Sequence, residues 1–324
     1  MKKSLLGLIL ALVVSCSSVA LGQDCTKGLM SATRMGKNDI VQNLLDEGCD
    51  VNIKDKRGDT ALTFAVRSGE TEIVKLLLEH GAAVNAKVRD GSTAILMAVN
   101  GNIRNIDMIK LLIEGGADVN EAGRLGYTAL LKAKNAEVVK LLIENGADVN
   151  AKTKRDLNTP LMGASYRRDP EAVRLLLNNG ADLEAKSSKG NTALLMAVKG
   201  DVRNIEMIKL LLENGADVEA TDRGSWTALV TASKHGKTEV VKLLLDNGAD
   251  VNAKMKDGST ALLKAVISGK TETVKLLLEN GADVEATERD GETALMRAER
   301  YGRKKIVEML KEPPRPQKKS CFWF

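Results

Sequence analysis

Residues 55–87 read DKRGDTALTFAVRSGETEIVKLLLEHGAAVNAK. Turn-forming residues open this stretch, and Thr60 follows them, where its hydroxyl can cap the first turn of a helix. Leu62 and Ala65 then lie on one face of that helix, which ends at a Ser-Gly pair. The second helix, residues 71–80, is apolar around most of its circumference, which is typical of a helix packed between neighbours on both sides. The stretch therefore predicts a helix pair that cannot bury its own apolar faces.

The same unit recurs along the chain with a period near 33 residues. A threonine equivalent to Thr60 is followed five residues later by an alanine in eight places, and successive threonines are 31 to 35 residues apart. A sustained period of this length indicates stacked structural repeats, each of which buries its apolar faces against the next. The eight threonines are Thr60, Thr93, Thr128, Thr159, Thr192, Thr227, Thr260 and Thr293.

Three repeats depart from the standard spacing. Between their two helices, repeats three and six are two residues longer, and their inserts at 102–106 and 201–205 are similar. Repeat four is three residues shorter, which removes about one helical turn. We interpret the matched inserts as the trace of a duplicated block of repeats. For repeat four, a local bend or groove and neutral variation are both open.

The recurring pattern G-x-T-x-L-x-x-A, followed by V-K-L-L-L-E-x-G-A-D-V-N, is clearest in residues 258–284. In this pattern the chain resembles the ankyrin-repeat family over residues 24–312, in about nine repeats. The resemblance implies an all-α solenoid with short β-hairpin or turn fingers. It also implies a protein-interaction scaffold whose partner lies across the hairpin tips and the exposed face of the first helices. The family's histidine after T-P-L is replaced in every repeat, so its usual bond with the threonine is not expected here.

Both ends of the chain differ in composition from the repeats. Two lysines near the start precede an apolar run at 5–14, which is shorter than the roughly 20 residues that span a membrane and predicts an export signal. Two cleavage sites are open: removal of residues 1–22, or removal of 1–15, which would leave Cys16 as a lipidated N-terminus. At the other end, residues 313–324 are predicted to be a flexible basic and aromatic tail.

Cysteine and histidine usage bears on both export and metal binding. Export permits disulfide bonds. Cys25 and Cys49 flank the first helix pair and return to the same end of it, so they either form a disulfide or remain two small unpaired apolar side chains. The four cysteines and two histidines of the chain show no metal-ligand spacing, and neither a metal nor a cofactor is expected.

Charge and composition argue against two functional classes. Lys and Arg exceed Asp and Glu by 48 to 43, which is too small an excess to predict nucleic-acid binding. Aromatic residues make up 2% of the chain, which is low for the core of an enzyme. His80 and His235 lie in different repeats, and no convergent set of acid, base and nucleophile is recognisable. We therefore expect no catalytic residues.

Partner-binding residues are expected in two rows. The first row is the finger residue directly before each capping threonine, where Tyr127 and Trp226 are aromatic. The second row lies near the end of the first helix, where Tyr166 stands in a slot that other repeats fill with a cation. Exposed aromatic residues are good anchors for a partner; alternatively, each packs on its own hairpin. The other members are Asp59, Ser92, Asn158, Asn191, Ser259 and Glu292 in the first row, and Arg67, Lys199 and Lys234 in the second.

The finger tips are rich in cations, with single acidic residues between them. Such a weakly positive strip is suited to attract an acidic partner, although a charged strip can equally be a solvated rim. The tip cations are Lys54, Lys56, Arg57, Lys87, Arg89, Arg124, Lys152, Lys154, Arg155, Lys186, Lys189, Arg223, Lys254, Lys256 and Arg289.

Taken together, the sequence favours a non-catalytic, monomeric protein-binding scaffold in the bacterial cell envelope. The protein would be periplasmic or attached as a lipoprotein, and otherwise secreted; Cys16 would provide its only membrane contact. Two other functions are open: a chaperone-like accessory that protects an envelope enzyme, and a secreted effector that binds a host protein.

Overall fold

The computed structural model describes residues 21–101, 106–200 and 205–314. Within these ranges the chain forms eighteen α-helices, which follow one another as nine pairs joined by short turns. The same ranges contain no β-strand, and the fingers between pairs are turns with one isolated antiparallel bridge, between Thr287 and Thr293. The prediction of an all-α stack of about nine repeats is confirmed.

The chain divides into two compact units, and the first spans residues 1–148. It contains the first four helix pairs within the described residues. Its helices are α1 (Leu21–Arg34), α2 (Asn38–Asp46), α3 (Ala61–Ser68), α4 (Thr71–Glu79), α5 (Ala94–Asn100), α6 (Ile106–Glu114), α7 (Ala129–Lys132) and α8 (Ala136–Glu144).

The second unit spans residues 149–324 and contains five helix pairs in its described part. Its helices are α9 (Pro160–Arg167), α10 (Pro170–Asn178), α11 (Ala193–Lys199), α12 (Ile205–Glu213), α13 (Ala228–His235), α14 (Thr238–Asp246), α15 (Ala261–Ile267), α16 (Thr271–Glu279), α17 (Ala294–Arg300) and α18 (Lys304–Lys311).

Threonine caps fix the start of nearly every first helix after the first pair. Thr60 is extended, and its side-chain oxygen accepts a hydrogen bond from the backbone N–H of Thr63 at 3.3 Å. The exception is Thr93, whose buried hydroxyl makes no cap bond and has no partner among the described residues. The same cap bond is made by Thr128, Thr159, Thr192, Thr227, Thr260 and Thr293.

Stacking places helices of the same kind against each other. In the second unit α9 packs on α11, α11 on α13, α13 on α15 and α15 on α17, and the second helices follow the same order. The contact faces combine one leucine and one small alanine, as in Leu229 and Ala232 of α13, which are 1% and 0% exposed. The alanine lets neighbouring helices approach closely, so the core is a continuous thin layer between repeats.

The irregular repeats show where their length changes fall. The shortening of repeat four lies in its first helix, because α7 has only four residues. The inserts at 102–105 and 201–204 lie outside the described residues. The helices that precede them have C-terminal carbonyls bound by a lysine of the following repeat: Lys134 Nζ donates to Asn100 O at 3.2 Å, and Lys237 Nζ donates to Val198 O at 2.6 Å.

A disulfide closes the first repeat. Cys25 in α1 is bonded to Cys49, three residues after the end of α2, with their Cα atoms 5.9 Å apart. Of the two interpretations of these cysteines, the structure therefore has the paired one. The bond ties the start of the first helix to the end of the second.

An asparagine after most second helices connects neighbouring loops. Asn52 Oδ1 accepts from Ala83 N at 2.7 Å, and its Nδ2 donates to Gly81 O at 3.2 Å. Repeats five and six have Glu184 and Glu219 here, which accept from the next loop but cannot donate to its glycine carbonyl. The same pair of hydrogen bonds, one accepted and one donated, is made by Asn85, Asn120, Asn150 and Asn252.

Restoring the missing donor should stabilise the stack. We expect Glu219→Asn to raise the free energy of unfolding by about 0.5–1 kcal/mol, because its amide can then reach the Gly248 carbonyl. The reverse change, Asn252→Glu in the next repeat, should lower it by a similar amount. Urea unfolding followed by circular dichroism measures both. Equal midpoints for both variants and the wild type would show that these lateral bonds contribute nothing.

Candidate partner-binding surface

Several fingers lie against the first helix that follows them. In repeats two, six, seven and nine the finger residue before the capping threonine contacts the residue eight positions later, about two turns along the helix. Asp59 Oδ1 is 2.9 Å from Arg67 Nη2, and Asn191 Oδ1 is 2.5 Å from Lys199 Nζ. In repeat seven the same contact is Lys234 Nζ over the ring of Trp226, 4.9 Å from its centroid. Within each unit the two predicted rows therefore lie together, and we call this part of each unit its finger surface.

The expectation that the first row faces a partner is wrong at three positions. Asp59, Asn191 and Ser259 are buried, with 4%, 7% and 0% exposure. Small polar side chains here turn inward because the finger folds over the first helix, and that burial is compensated by hydrogen bonds such as the one from Lys199.

In the first unit, Tyr127 and Arg67 are both engaged within their own repeats. Tyr127 is half-buried, with Lys132 Nζ 4.8 Å from its ring centroid. Arg67 is half-exposed but paired with Asp59, and it lies 5.7 Å from the ring of Phe64. Tyr127 thus packs on its own repeat, as the alternative interpretation describes.

In repeat five, Tyr166 and Asn158 are placed differently. Tyr166 on α9 is 55% exposed. Asn158 is half-buried, and its backbone closes the finger: its N–H donates to Thr153 Oγ1 at 3.0 Å, and its carbonyl accepts from Thr153 N at 3.1 Å. Of these two, only the tyrosine presents a large side chain to solvent.

Repeat seven brings several of the predicted residues close together. Lys199 Nζ donates to Asp222 Oδ2 at 3.0 Å, and Asp222 Oδ1 accepts from the backbone N–H of Trp226 at 3.1 Å. Lys234 Nζ and Lys264 Nζ both lie near the Trp226 indole; Lys264 Nζ is 5.8 Å from its centroid. We call Lys199, Asp222, Trp226, Lys234 and Lys264 the repeat-seven cluster. It contains three of the predicted site residues: Lys234 contacts Trp226, and Lys199 is connected to Trp226 through Asp222.

Sequence reasoning missed Asp222 and Lys264. Asp222 is one of the single acidic residues between the tip cations, and it holds its finger by accepting from Gly224 N at 2.8 Å as well as from Trp226 N. Lys264 occupies the helix position that Lys132 occupies in repeat four, next to Tyr127. Aligning that position across the repeats would have revealed it.

The charges of the cluster are not balanced. Burial would raise the pKa of Asp222, but the hydrogen bonds from Lys199 and from the N–H groups of Trp226 and Gly224 outweigh it and lower the pKa. Asp222 therefore stays ionised and neutralises Lys199. Lys234 has no carboxylate partner within the described residues. Burial and the neighbouring lysines lower the pKa of His235, which favours its neutral form.

In the last two repeats, by contrast, the positive charges on the first helices are neutralised by finger acids. Lys264 is 3.2 Å from Glu288, which is 2.6 Å from Arg297, and Arg297 also contacts Asp290 at 2.5 Å. Arg300 pairs with Glu292 at 2.9 Å. The helix cations of this region are therefore occupied by finger acids.

The tip cations predicted from the sequence are all exposed. Lateral bonds hold successive tips together: Arg223 N donates to Lys189 O at 3.0 Å, Lys256 Nζ to Arg223 O at 2.9 Å, and Arg289 Nη2 to Lys256 O at 2.9 Å. In the second unit these cations form an ordered row along the fingers.

The described ranges of the chain contain no group of three or more His, Cys, Asp or Glu side chains arranged to hold a metal ion. None of their helices is both long enough and apolar enough to span a bilayer.

A family model described as ankyrin repeats (3 copies) matches residues 29–122, 85–153, 104–187, 161–255 and 229–320, which together cover most of the chain. The chain is an ankyrin-repeat protein. No curated protein matches it. Ankyrin-repeat arrays are protein-interaction scaffolds, in which stacked repeats present an extended surface. The chain, as an ankyrin-repeat protein, is therefore assigned to the protein-interaction scaffolds.

Asp222 should fix the repeat-seven cluster through its charge. Because Asp222→Asn keeps the shape but removes the charge, we expect the free energy of unfolding at pH 7 to fall by about 1–3 kcal/mol. The pKa of Asp222 is lower in the folded state than in the unfolded state. Its carboxylate therefore adds to the free energy of unfolding above the unfolded-state pKa, and this addition is lost as the pH falls through the folded-state pKa. The difference between variant and wild type should therefore shrink on acidification.

Urea unfolding at a series of pH values measures this. Asp246→Asn, on the exposed side of α14, is the matched control and should change stability little at any pH. A constant difference for Asp222→Asn down to acidic pH would contradict a charge-based role.

Proposed function

We propose that this ankyrin-repeat protein is a non-catalytic scaffold that binds a partner protein through the finger surface of its second unit. Tyr166 and the repeat-seven cluster are the anchors. The observation that carries the proposal is the Trp226–Lys234 contact, in which an indole and a lysine without a carboxylate partner lie together on the finger surface.

An indole next to an uncompensated ammonium fits an acidic side chain that neighbours an apolar one. The partner's carboxylate would pair with Lys234, and the apolar side chain would contact the half-buried ring of Trp226. Aromatic anchors of this kind dominate binding energy when the contact excludes water. Tyr166, on the first helix of repeat five, adds an exposed aromatic side chain to the same unit.

The row of tip cations supports an acidic partner. In repeats seven to nine the finger acids are paired with helix cations, as in Asp222 with Lys199 and Glu288 with Arg297. The exposed tips therefore present positive charge that the fingers do not cancel. Such a row raises the association rate of an acidic protein more than its final affinity.

The proposed location is the bacterial cell envelope, with the protein acting as a monomer. The basic and apolar start of the sequence supports export, and the Cys25–Cys49 disulfide is typical of an oxidising compartment. Cys16, the proposed lipid anchor, and the export signal up to residue 20 lie outside the described residues. Membrane contact is proposed only through that anchor.

The test starts from a partner captured on the mature protein from an envelope extract and identified by mass spectrometry. The purified partner is then titrated calorimetrically. We expect Tyr166→Ala with Trp226→Ala to raise the Kd at least about 30-fold, which corresponds to the roughly 2 kcal/mol of an anchor residue.

Charge reversal at two lysines distinguishes a contact made by the repeat-seven cluster from an effect of net charge. Lys234→Glu should weaken binding about tenfold or more, whereas Lys242→Glu, the same change on the exposed face of the second helix α14, should leave the Kd within about twofold. Equal affinities for wild type, the double alanine variant and Lys234→Glu would contradict the proposed surface.

A further inference from the structure

The last repeat leaves an apolar face uncovered. Met296 on α17 is 53% exposed, and Leu295 beside it and Val307 on α18 are half-buried. The equivalent residues of repeats five to eight are at most 1% exposed. They are Leu161, Leu194, Leu229 and Leu262 for Leu295; Met162, Leu195, Val230 and Leu263 for Met296; and Val173, Ile208, Val241 and Val274 for Val307.

The difference has a simple cause. In a stack, the following repeat covers this side of each helix pair. The ninth pair is the last one in the described part of the chain, so the same sequence pattern leaves Leu295, Met296 and Val307 without a cover. Large apolar side chains left in a contiguous exposed patch usually mark a contact site.

The chain that follows carries a suitable cover. Three of the eight aromatic residues of the protein are Phe322, Trp323 and Phe324, which follow a basic segment after Pro314. The cores of the repeats are built from leucine, valine, isoleucine, methionine and alanine, so these aromatic residues have no place in the repeat pattern.

The tail starts next to the uncovered face. Lys311, the last residue of α18, is 3.4 Å from Glu299 on α17, and two prolines then end the helix. At roughly 3.3 Å per extended residue, the chain from Pro314 to Trp323 can reach about 30 Å. This is more than twice the length of α17, which at 1.5 Å per residue is about 10 Å.

We propose that residues 315–324, which lie outside the described residues, fold back so that Phe322, Trp323 and Phe324 cover Leu295, Met296 and Val307. The tail then takes the place of a tenth repeat. It closes the end of the array and prevents a second copy from stacking on the ninth repeat, so that the finger surface remains the contact surface for the partner.

Tryptophan fluorescence tests this in the full chain. Trp226→Phe leaves Trp323 as the only tryptophan, since the protein has two. We expect its emission to be blue-shifted and its quenching by acrylamide to be several-fold weaker than in urea. Adding Met296→Lys should restore quenching to the unfolded level, because a charge in the contact expels the tail. Circular dichroism confirms that the exposed substitution leaves the helices folded.

The matched control is Met35→Lys in the same background, which places the same charge on an equally exposed methionine, 52% exposed, in the first repeat. It should leave Trp323 protected. The proposal is overturned if Trp323 is as quenchable in the native protein as in urea, or if Met296→Lys leaves it protected. Protection that disappears on dilution would assign the face to a second copy, and protection that requires anionic phospholipid vesicles would assign the tail to a membrane; either result also overturns it.

Discussion

Burial of apolar side chains between neighbouring repeats is the interaction on which the structure depends. A pair of short helices has two apolar sides, and folding of the pair alone leaves both in contact with water. In the second unit Leu229 and Leu244 are 1% and 0% exposed because repeats lie on either side of them. At about 1.5–3 kcal/mol for each fully buried leucine, these layers outweigh anything that the surface bonds contribute.

This constraint also decides where function can lie. Aliphatic side chains fill the core. Aromatic and charged residues outside it are therefore not needed for packing and can take part in other contacts. Several polar and charged side chains hold the fingers: Asp59 with Arg67, Asn191 with Lys199, and the acids of repeat nine with Arg297. What remains available is the part of the finger surface that the fold does not neutralise.

The sequence predicted the fold closely because its signals are local and repeated. The period, the threonine caps and the leucine–alanine faces specify each helix pair, and α7 is short where repeat four is short. The candidate site was predicted less well. Tyr127 and Trp226 were identified as finger residues, but their half-burial under Lys132 and Lys234 depends on how a finger folds over its helix. That geometry brings Tyr127 against a residue five positions later and Trp226 against one eight positions later, which no helical period reveals.

Coupling between repeats is most directly measured by amide hydrogen exchange on a variant with a cavity in the middle of the second unit. Leu229→Ala removes a buried side chain of α13 and should cost about 2–5 kcal/mol. If the repeats stabilise each other by sharing apolar faces, exchange should accelerate in α11 and α15 as well as in α13. Acceleration confined to α13 would show that each helix pair is stable alone and would contradict the account.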